Sequence, residues 1–203
     1  MSIQRSEEWF LERLGHATAS KFADALSKGK NGEESASRRN YKLQLVTERL
    51  TGQPSEGYSN AAMEWGTEQE PYARAAYEAY SGTIVDECGF IRHSGGLKAG
   101  ASPDGLVGDN GIIEIKCPNS ATHVETLVSR AMPSKYISQV QGQLWITNRD
   151  WCDFVSFDPR MPGPLQLFVV RVPRDEERIE LIADGIRGFL LEVSALEAQL
   201  RSL

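Results

Sequence analysis

The stretch SPDGLVGDNGIIEIKCP (Ser102–Pro118) is the part of the sequence from which the fold can be inferred. Two short apolar runs flank an Asp-Asn-Gly turn, which predicts a β-hairpin. Side chains of the second run alternate between the two faces of its strand: Ile112, Glu114 and Lys116 on one, Ile113, Ile115 and Cys117 on the other. A carboxylate and an ammonium group therefore stand side by side on a strand otherwise suited to burial. Because an unpaired buried charge is costly, these two residues require a functional explanation.

Asp104 suggests that explanation. It lies in the turn that ends the preceding strand, and the hairpin would bring its carboxylate beside Glu114. Two converging carboxylates form an all-oxygen site suited to Mg²⁺ or Mn²⁺. A lysine beside such a site, here Lys116, can orient or deprotonate a metal-bound water for phosphodiester hydrolysis. The alternative is a solvated hairpin that carries an ordinary Glu–Lys pair on its wet face.

The segments around the hairpin predict an α/β (α+β) fold with a central mixed β-sheet flanked by helices. Helical patterns fill the N-terminal third, interrupted by a Gly/Ser/Lys-rich stretch, 27–39, interpreted as a mobile loop, and by a second loop over 52–60. Pro71 is placed in the first turn of the second part of a helical segment. Two helices and two strands follow the hairpin. The prediction is one domain over 1–203, with a core of about 9–172 and a C-terminal helix of about 174–201.

Composition narrows the setting of the protein. No run of about 18 apolar residues is present, so no membrane span is predicted, and the N-terminus lacks the apolar core of a secretory signal. Cys88, Cys117 and Cys152 form no CxxC pair, which disfavours a zinc site or a disulfide framework. We therefore expect a protein of a reducing cytoplasm.

The net charge of −6 lowers the expectation of a nucleic-acid partner. Net charge averages over the whole surface, however, and a local basic groove can occur on an acidic protein. Carboxylates collected at a metal site also make the total more negative.

Five motifs in order resemble the PD-(D/E)xK nucleases, and within them the lambda exonuclease or YqaJ-like viral recombinase family. They are RLGHATAS at 13–20, WGTEQE at 65–70, SPDGL with EIKCP between 102 and 118, YISQVQ at 136–141 and FDPRM at 157–161. Each motif alone is weak evidence. Their shared order and spacing imply a restriction-endonuclease-like core and a deoxyribonuclease.

The resemblance also implies roles for particular residues. Asp104 and Glu114 would hold the metal together with the backbone carbonyl of Ile115, and Lys116 would position the attacking water. Glu70 matches an upstream acidic residue near a second metal ion, and Glu64 and Glu68 are the neighbouring alternatives. Gln139 matches an active-site glutamine; on a helix, Gln143 shares its face and Gln141 points elsewhere.

A further set is implied to contact DNA. Arg13 and Ser20 resemble a pocket for a 5′-phosphate, and Ser102 would join it. Met63 would press on the end of the duplex, with a core methionine as the alternative interpretation. Tyr136, the first residue of its motif, is assigned to the same DNA-binding set.

The function implied is a Mg²⁺-dependent 5′→3′ exonuclease with two ions, for which Mn²⁺ is a possible substitute. It would digest linear double-stranded DNA from 5′-phosphorylated ends and leave 3′ single strands for phage-type recombination. The resemblance further implies a homotrimeric ring, a single-strand annealing protein as a partner, and the cytoplasm of a bacterial, prophage-carrying or phage-infected cell as the setting. Candidates for the basic inner wall of that ring are Lys28, Lys30, Arg38 and Arg39. The alternatives are another PD-(D/E)xK DNA endonuclease and a non-catalytic DNA-binding subunit.

Overall fold

The computed structural model describes residues 4–55 and 61–203. Its helices are α1 Glu7–Arg13, α2 Phe22–Leu26, α3 Ala36–Thr51, α4 Ala61–Ser81, α5 Ser120–Ser129, α6 Ile137–Thr147 and α7 Glu176–Arg201. Its strands are β1 Ala17–Thr18, β2 Val85–Asp86, β3 Ile91–Arg92, β4 Ala99–Ala101, β5 Gly105–Val107, β6 Gly111–Lys116, β7 Trp151–Phe157 and β8 Leu167–Pro173. The prediction of a mixed sheet flanked by helices is confirmed.

The main sheet has five strands in the order β2-β5-β6-β7-β8, and a smaller sheet has the order β1-β4-β3. Strand β6 pairs antiparallel with β5 and parallel with β7. Gly111 is required at the start of β6, because a Cβ there would lie 2.1 Å from the ring of Trp151. The predicted hairpin therefore forms the middle of the sheet, where its side chains are covered on both sides.

Helices cover both faces of the main sheet. On one face Ile113, Ile115 and Val155 pack against Ala73 and Tyr77 of α4. On the other face a second cluster joins the sheet to α6 and α7: Ile112, Val140, Leu144, Cys152 and Ile179. Because Glu114 projects from the α6 side, it lies in the interior of the fold, with 1% of its surface exposed.

A third apolar cluster joins the smaller sheet to α2, α3 and α7. Phe22, Tyr41 and Phe189 are its largest members, and the rings of Tyr41 and Phe189 stack at 5.5 Å. Asp175 caps the N-terminus of α7 by accepting a hydrogen bond from Arg178 N, so the C-terminal helix begins close to the predicted boundary. None of the described helices is both long and apolar enough to cross a membrane.

Two helix predictions require correction. Helix α4 runs without a break through Pro71, which the sequence had placed near a helix start. The ring costs one backbone hydrogen bond, and the exposed position of Pro71 leaves the freed carbonyl accessible to water. Helix α3 begins at Ala36, inside the predicted loop 27–39, because Ser35 accepts a hydrogen bond from Arg38 N as an N-cap.

The rest of that predicted mobile loop is also structured. A bridge joins Lys28 to Glu34, and Arg38 and Lys42 both pair with Glu34 and with Glu192 of α7. Ion pairs to a distant helix, which no local pattern signals, hold this segment. In the second predicted loop, 52–60, residues 56–60 lie outside the described residues.

Candidate active site

The β5–β6 hairpin brings Asp104 next to Glu114. Asp104 directly precedes β5, whereas β4 ends at Ala101, so the aspartate opens the hairpin and does not close the preceding strand. Its backbone N–H donates to the carbonyl of Ile113 at 3.1 Å, and its Oδ2 accepts a hydrogen bond from Ile115 N at 2.6 Å. The carboxylate of Asp104 is thereby held against the backbone of the strand that carries Glu114.

Glu114 is surrounded by hydrogen-bond donors. Gln139 Nε2 donates to its Oε1 at 2.5 Å, and Gln143 Nε2 donates to its Oε2 at 2.6 Å. Lys116 Nζ lies 2.5 Å from Oε1. Both carboxylate oxygens are therefore fixed in direction, which is how outer-shell groups orient a metal-binding carboxylate.

The three glutamines of α6 divide between two tasks. Gln139 and Gln143 face Glu114, as their four-residue spacing predicts. Gln141 points away: it donates to the carbonyl of Pro173 at 2.9 Å and accepts from Asp175 N at 3.0 Å, which links α6 to the start of α7. Gln143, which the motif comparison did not single out, thus contacts Glu114 as closely as Gln139 does.

The carboxylates of the cleft shift the pKa values of Asp104 and Lys116. Burial, and then the nearby charges of Glu114 and Glu70, raise the pKa of Asp104 well above its usual value. Burial alone would lower the pKa of Lys116, but Glu114 and Asp104 raise it overall, so the lysine is protonated near neutral pH. The raised pKa suits the lysine to orient a water or to balance charge.

Glu70 lies on α4 at the edge of the same cleft. Arg74 Nη2 approaches its Oε1 at 3.2 Å, and Arg5 Nη2 approaches its Oε2 at 2.6 Å. Glu68, a neighbouring acidic residue of the same motif, is exposed. Of the acidic residues in this motif, Glu70 is the one whose carboxylate the structure brings to Asp104.

Met63 and Tyr136 line the cleft as well, together with Lys116 and Ile115. Met63 is 54% exposed, which excludes the alternative of a core methionine. The ammonium of Lys116 lies 5.1 Å from the centre of the Tyr136 ring, and that ring packs against Phe154 at 5.5 Å. Tyr136 therefore supports the lysine and forms part of the wall of the cleft.

The donor set fits a hard divalent cation. Asp104, Glu114 and the Ile115 carbonyl are oxygen donors, which Mg²⁺ prefers, and Mg²⁺ is commonly bound through one or two carboxylates and several waters. Within residues 4–55 and 61–203, no group of three His, Cys, Asp or Glu side chains converges enough to hold an ion alone.

A second pocket lies across the loop that precedes Asp104. The hydroxyl of Ser102 accepts hydrogen bonds from Trp9 Nε1 and Arg13 Nη1, each at 3.0 Å. The guanidinium of Arg13 lies 4.0 Å above the Trp9 ring. Ser20 lines the same pocket, and its hydroxyl is 3.3 Å from that of Thr18.

Arg13 makes this pocket a candidate anion site. Burial lowers the pKa of Arg13 to about 10, although Tyr41 and Glu48 oppose the shift. No carboxylate of the described chain lies within ion-pair distance of its guanidinium. Because a buried cation without a direct counter-ion favours an anionic ligand, the pocket fits a phosphate. Trp9, whose signal was its position one helical turn before Arg13, was not identified from the sequence.

Arg160 connects two of the sequence motifs. The guanidinium of Arg160 stacks 4.5 Å from the centre of the Trp65 ring and binds Asp158 at 2.7 Å. The stack joins the WGTEQE motif on α4 to the FDPRM motif after β7. Arg38, by contrast, is neutralised by Glu34 and Glu192, so its charge is already used within the fold.

Comparison with known proteins identifies relatives of the whole fold. The YqaJ-like viral recombinase domain matches residues 8–150. The alkaline exonuclease LHK-Exo of Laribacter hongkongensis has 47% sequence identity and a TM-score of 0.90, with 97% of each chain covered. A structure of LHK-Exo in complex with dAMP matches equally well, at 48% identity, with a TM-score of 0.90 and 97% of each chain covered.

Two more distant relatives add less. A phage-related exonuclease from Haemophilus somnus 129PT has 18% identity and a TM-score of 0.70 over 92% of this chain and 95% of that one, which supports the fold alone. The uncharacterized protein R354 of Acanthamoeba polyphaga mimivirus is 27% identical over 169 residues, which are 75% of this chain. The match spans 29% of the length of that viral protein.

The fold and the cleft define a nuclease, and the match to LHK-Exo over nearly the whole chain makes it an exonuclease. The chain belongs to the YqaJ-like viral recombinase family. Membership in this family implies a metal-dependent nuclease.

Proposed function

We propose that this chain is a Mg²⁺-dependent exonuclease that digests linear double-stranded DNA from 5′-phosphorylated ends in the 5′→3′ direction and leaves 3′ single strands. The observation that carries the proposal is the convergence of Asp104, Glu114 and Lys116 in one cleft, beside the anion pocket of Arg13 and Ser102. The complex of the relative LHK-Exo with dAMP, a mononucleotide with a phosphate, is consistent with both sites.

Each cleft residue has a role in this proposal. Asp104, Glu114 and the Ile115 carbonyl would hold one ion, and Glu70 would serve a second ion or its water. When bound, Mg²⁺ supplies the polarisation of water and the stabilisation of charge on the phosphate, and Mn²⁺ would be a substitute. Protonated Lys116 orients the attacking water and balances the negative phosphate. Gln139, fixed by its bond to Glu114, orients water or a phosphate oxygen.

The pocket supplies the recognition of the end. Arg13 offers a planar fork of N–H donors to the terminal phosphate. Ser102 already accepts two hydrogen bonds, so its own hydroxyl proton stays available as a donor to a ligand. Ser20, which lines the pocket with Arg13, contributes its hydroxyl, and exposed Met63 contacts the end of the duplex. A phosphate held here would set the polarity, because only a 5′ end carries it in the required place.

The family resemblance supports two further parts of the proposal. A homotrimeric ring would let a chain of net charge −6 hold DNA, because only its inner wall has to be basic. Lys28, Lys30 and Arg39 stay candidates for that wall, whereas Arg38 is engaged by its ion pairs. The 3′ single strands would pass to an annealing protein in phage-type recombination.

The test uses linear duplex DNA labelled at one 5′ or one 3′ end, with and without the 5′-phosphate. Wild type, Lys116→Ala and the control Arg187→Ala, which removes an exposed charge of α7, are incubated with Mg²⁺ or with EDTA. With Mg²⁺, we expect wild type and Arg187→Ala to release mononucleotides from the 5′ end, and to release them faster when that end carries a phosphate. We expect no release by Lys116→Ala, and none by any of the proteins in EDTA.

Each other outcome has a defined meaning. Release from the 3′ end would refute the polarity. Nicking of covalently closed circular duplex would favour an endonuclease, and absence of hydrolysis on every substrate would leave a DNA-binding subunit as the better account. Equal rates on phosphorylated and hydroxyl ends would remove the end pocket from the proposal.

A further inference from the structure

The segment that precedes α1 lies against the nuclease cleft. Gln4 Nε2 donates hydrogen bonds to the carbonyl oxygens of Cys88 at 3.0 Å and Pro103 at 2.7 Å, and Pro103 immediately precedes Asp104. On the other side, Ser6 accepts a hydrogen bond from Trp9 N as the N-cap of α1. Arg5, between these two anchored residues, is therefore held in place from both sides.

The backbone of Arg5 has an uncommon conformation. Its φ of 70° lies in the left-handed region, which residues with a side chain rarely adopt. Arg130 and Asn148 share this conformation, but they end α5 and α6, where a left-handed residue is a usual terminator. Among the described residues, no helix ends at Arg5. At Arg5 the left-handed backbone occurs at a residue whose side chain lines the cleft.

The contact between Arg5 and Glu70 is exposed and replaceable. Arg5 Nη2 lies 2.6 Å from Glu70 Oε2, and the Arg5 side chain is 46% exposed. Arg74, which is 14% exposed, already binds the other oxygen of Glu70. Within the described ranges the Arg5 guanidinium makes this one hydrogen bond, so most of its five N–H donors stay available to a ligand.

We propose that Arg5 is a DNA-binding residue of the nuclease cleft, whose guanidinium contacts a non-bridging oxygen of the phosphodiester held beside Asp104 and Glu114. The inference rests on the proposed function. A guanidinium matches the geometry of a phosphate in a two-pronged contact. Of the two cations that line the described part of the cleft, Lys116 is engaged by Glu114 and is 26% exposed, whereas Arg5 is the more exposed one.

Arg5 and Arg13 would contact different phosphates. Arg13 and Trp9 bind Ser102, while Gln4, next to Arg5, binds Pro103. One N-terminal segment thus reaches the anion pocket and the cleft from the same loop. Because Arg5 faces the cleft, its effect on DNA binding should not depend on whether the 5′ end carries a phosphate. This independence separates its role from that of Arg13.

The experiment measures equilibrium binding of short duplexes with a 5′-phosphate or a 5′-hydroxyl by fluorescence anisotropy. The variants are Arg5→Ala, Arg5→Lys and the control Arg187→Ala, in EDTA and again in Ca²⁺. We expect Arg5→Ala to raise the Kd about tenfold for both ends, as loss of a charged hydrogen bond would. Arg5→Lys should lie between Arg5→Ala and wild type, and Arg187→Ala should bind as wild type does.

Two results would overturn the inference. If Arg5→Ala binds both duplexes as tightly as Arg187→Ala, and calorimetry shows tighter Mg²⁺ binding, Arg5 only neutralises Glu70. If the loss is confined to phosphorylated ends, Arg5 belongs to the end pocket. Should Arg5→Ala lower the melting temperature, Arg5→Gln measured below both melting temperatures decides between the outcomes. Wild type that binds but never hydrolyses DNA would refute the proposed function and leave the binding comparison valid.

Discussion

The nuclease cleft and the anion pocket lie on two sides of one loop and have opposite electrostatics. The cleft crowds the carboxylates of Asp104, Glu114 and Glu70, and this crowding contributes to the raised pKa of Asp104. The pocket buries Arg13, whose pKa is lowered to about 10 by burial. One site is therefore suited to receive cations, and the other is suited to receive an anion.

The difference shows how one loop can serve two tasks. Ser102 contributes its hydroxyl to the pocket, and Asp104, two residues later, contributes its carboxylate to the cleft. A substrate with a terminal phosphate would meet both sites at a fixed separation. Damage to the cleft should therefore abolish chemistry on every end, whereas damage to the pocket should abolish only the preference among ends.

The largest effect is expected from Glu114→Gln. The substitution keeps the shape of the side chain but removes the charge that would hold the ion, so hydrolysis should fall roughly a thousandfold on all ends. Binding of DNA in EDTA should not weaken, because one negative charge facing the phosphate is gone. Mg²⁺ should raise the melting temperature of wild type and of the control Glu180→Gln, but not of this variant. Unchanged hydrolysis would place the metal site elsewhere.

Arg13→Ala should act on end preference. The ratio of hydrolysis rates for 5′-phosphate over 5′-hydroxyl duplexes should fall by up to about 100-fold, because hydrogen bonds to charged groups contribute about 1.5–3 kcal/mol. The rate on hydroxyl ends should stay within a factor of about three, since the cleft is intact. Both rates are measured in single-turnover assays beside Arg187→Ala. An equal loss on both ends would mean that Arg13 supports the fold or the cleft instead.

Gln143→Leu and Gln141→Leu form a matched pair on α6. Gln143→Leu removes a donor from Glu114 and should lower activity about tenfold at limiting Mg²⁺, with partial recovery at high Mg²⁺. Gln141→Leu removes the link to α7 and should lower the free energy of unfolding by about 1–3 kcal/mol with little loss of activity in the folded enzyme. Urea unfolding and Mg²⁺ titrations separate the two, and the reverse pattern would contradict these assignments.

The smallest effect is expected from Trp9→Phe. The indole N–H bond to Ser102 is lost, while an aromatic ring stays beneath the Arg13 guanidinium. The preference for phosphorylated ends should decline only about two- to tenfold, as for a neutral hydrogen bond of about 0.5–1.5 kcal/mol. The same single-turnover ratio measures it. A loss as large as that of Arg13→Ala would show that Trp9 contributes through more than this bond.

Features that depend on near neighbours in the chain were predictable. The Asp-Asn-Gly turn and the alternation of 111–116 predicted the hairpin, and the hairpin alone brings Asp104 to Glu114, since Gly105 pairs with Ile113. The four-residue spacing of Gln139 and Gln143 likewise predicted a shared helix face. The prediction of a mobile loop over 27–39 was wrong because ion pairs to α7 hold that segment. The prediction of a helix start near Pro71 was wrong because the exposed position lets α4 continue through the proline.

The sequence by itself determined the hairpin, the mixed sheet with its flanking helices and, through its ordered motifs, the family. Only the tertiary structure decided that Gln143 completes the donors around Glu114 and that Arg5 reaches Glu70 across 65 positions. It also decided that Arg13 has no carboxylate at ion-pair distance within residues 4–55 and 61–203. Turns and alternation are set by a few adjacent residues. The strength of a charge interaction depends instead on distance in space and on burial, which the whole fold sets.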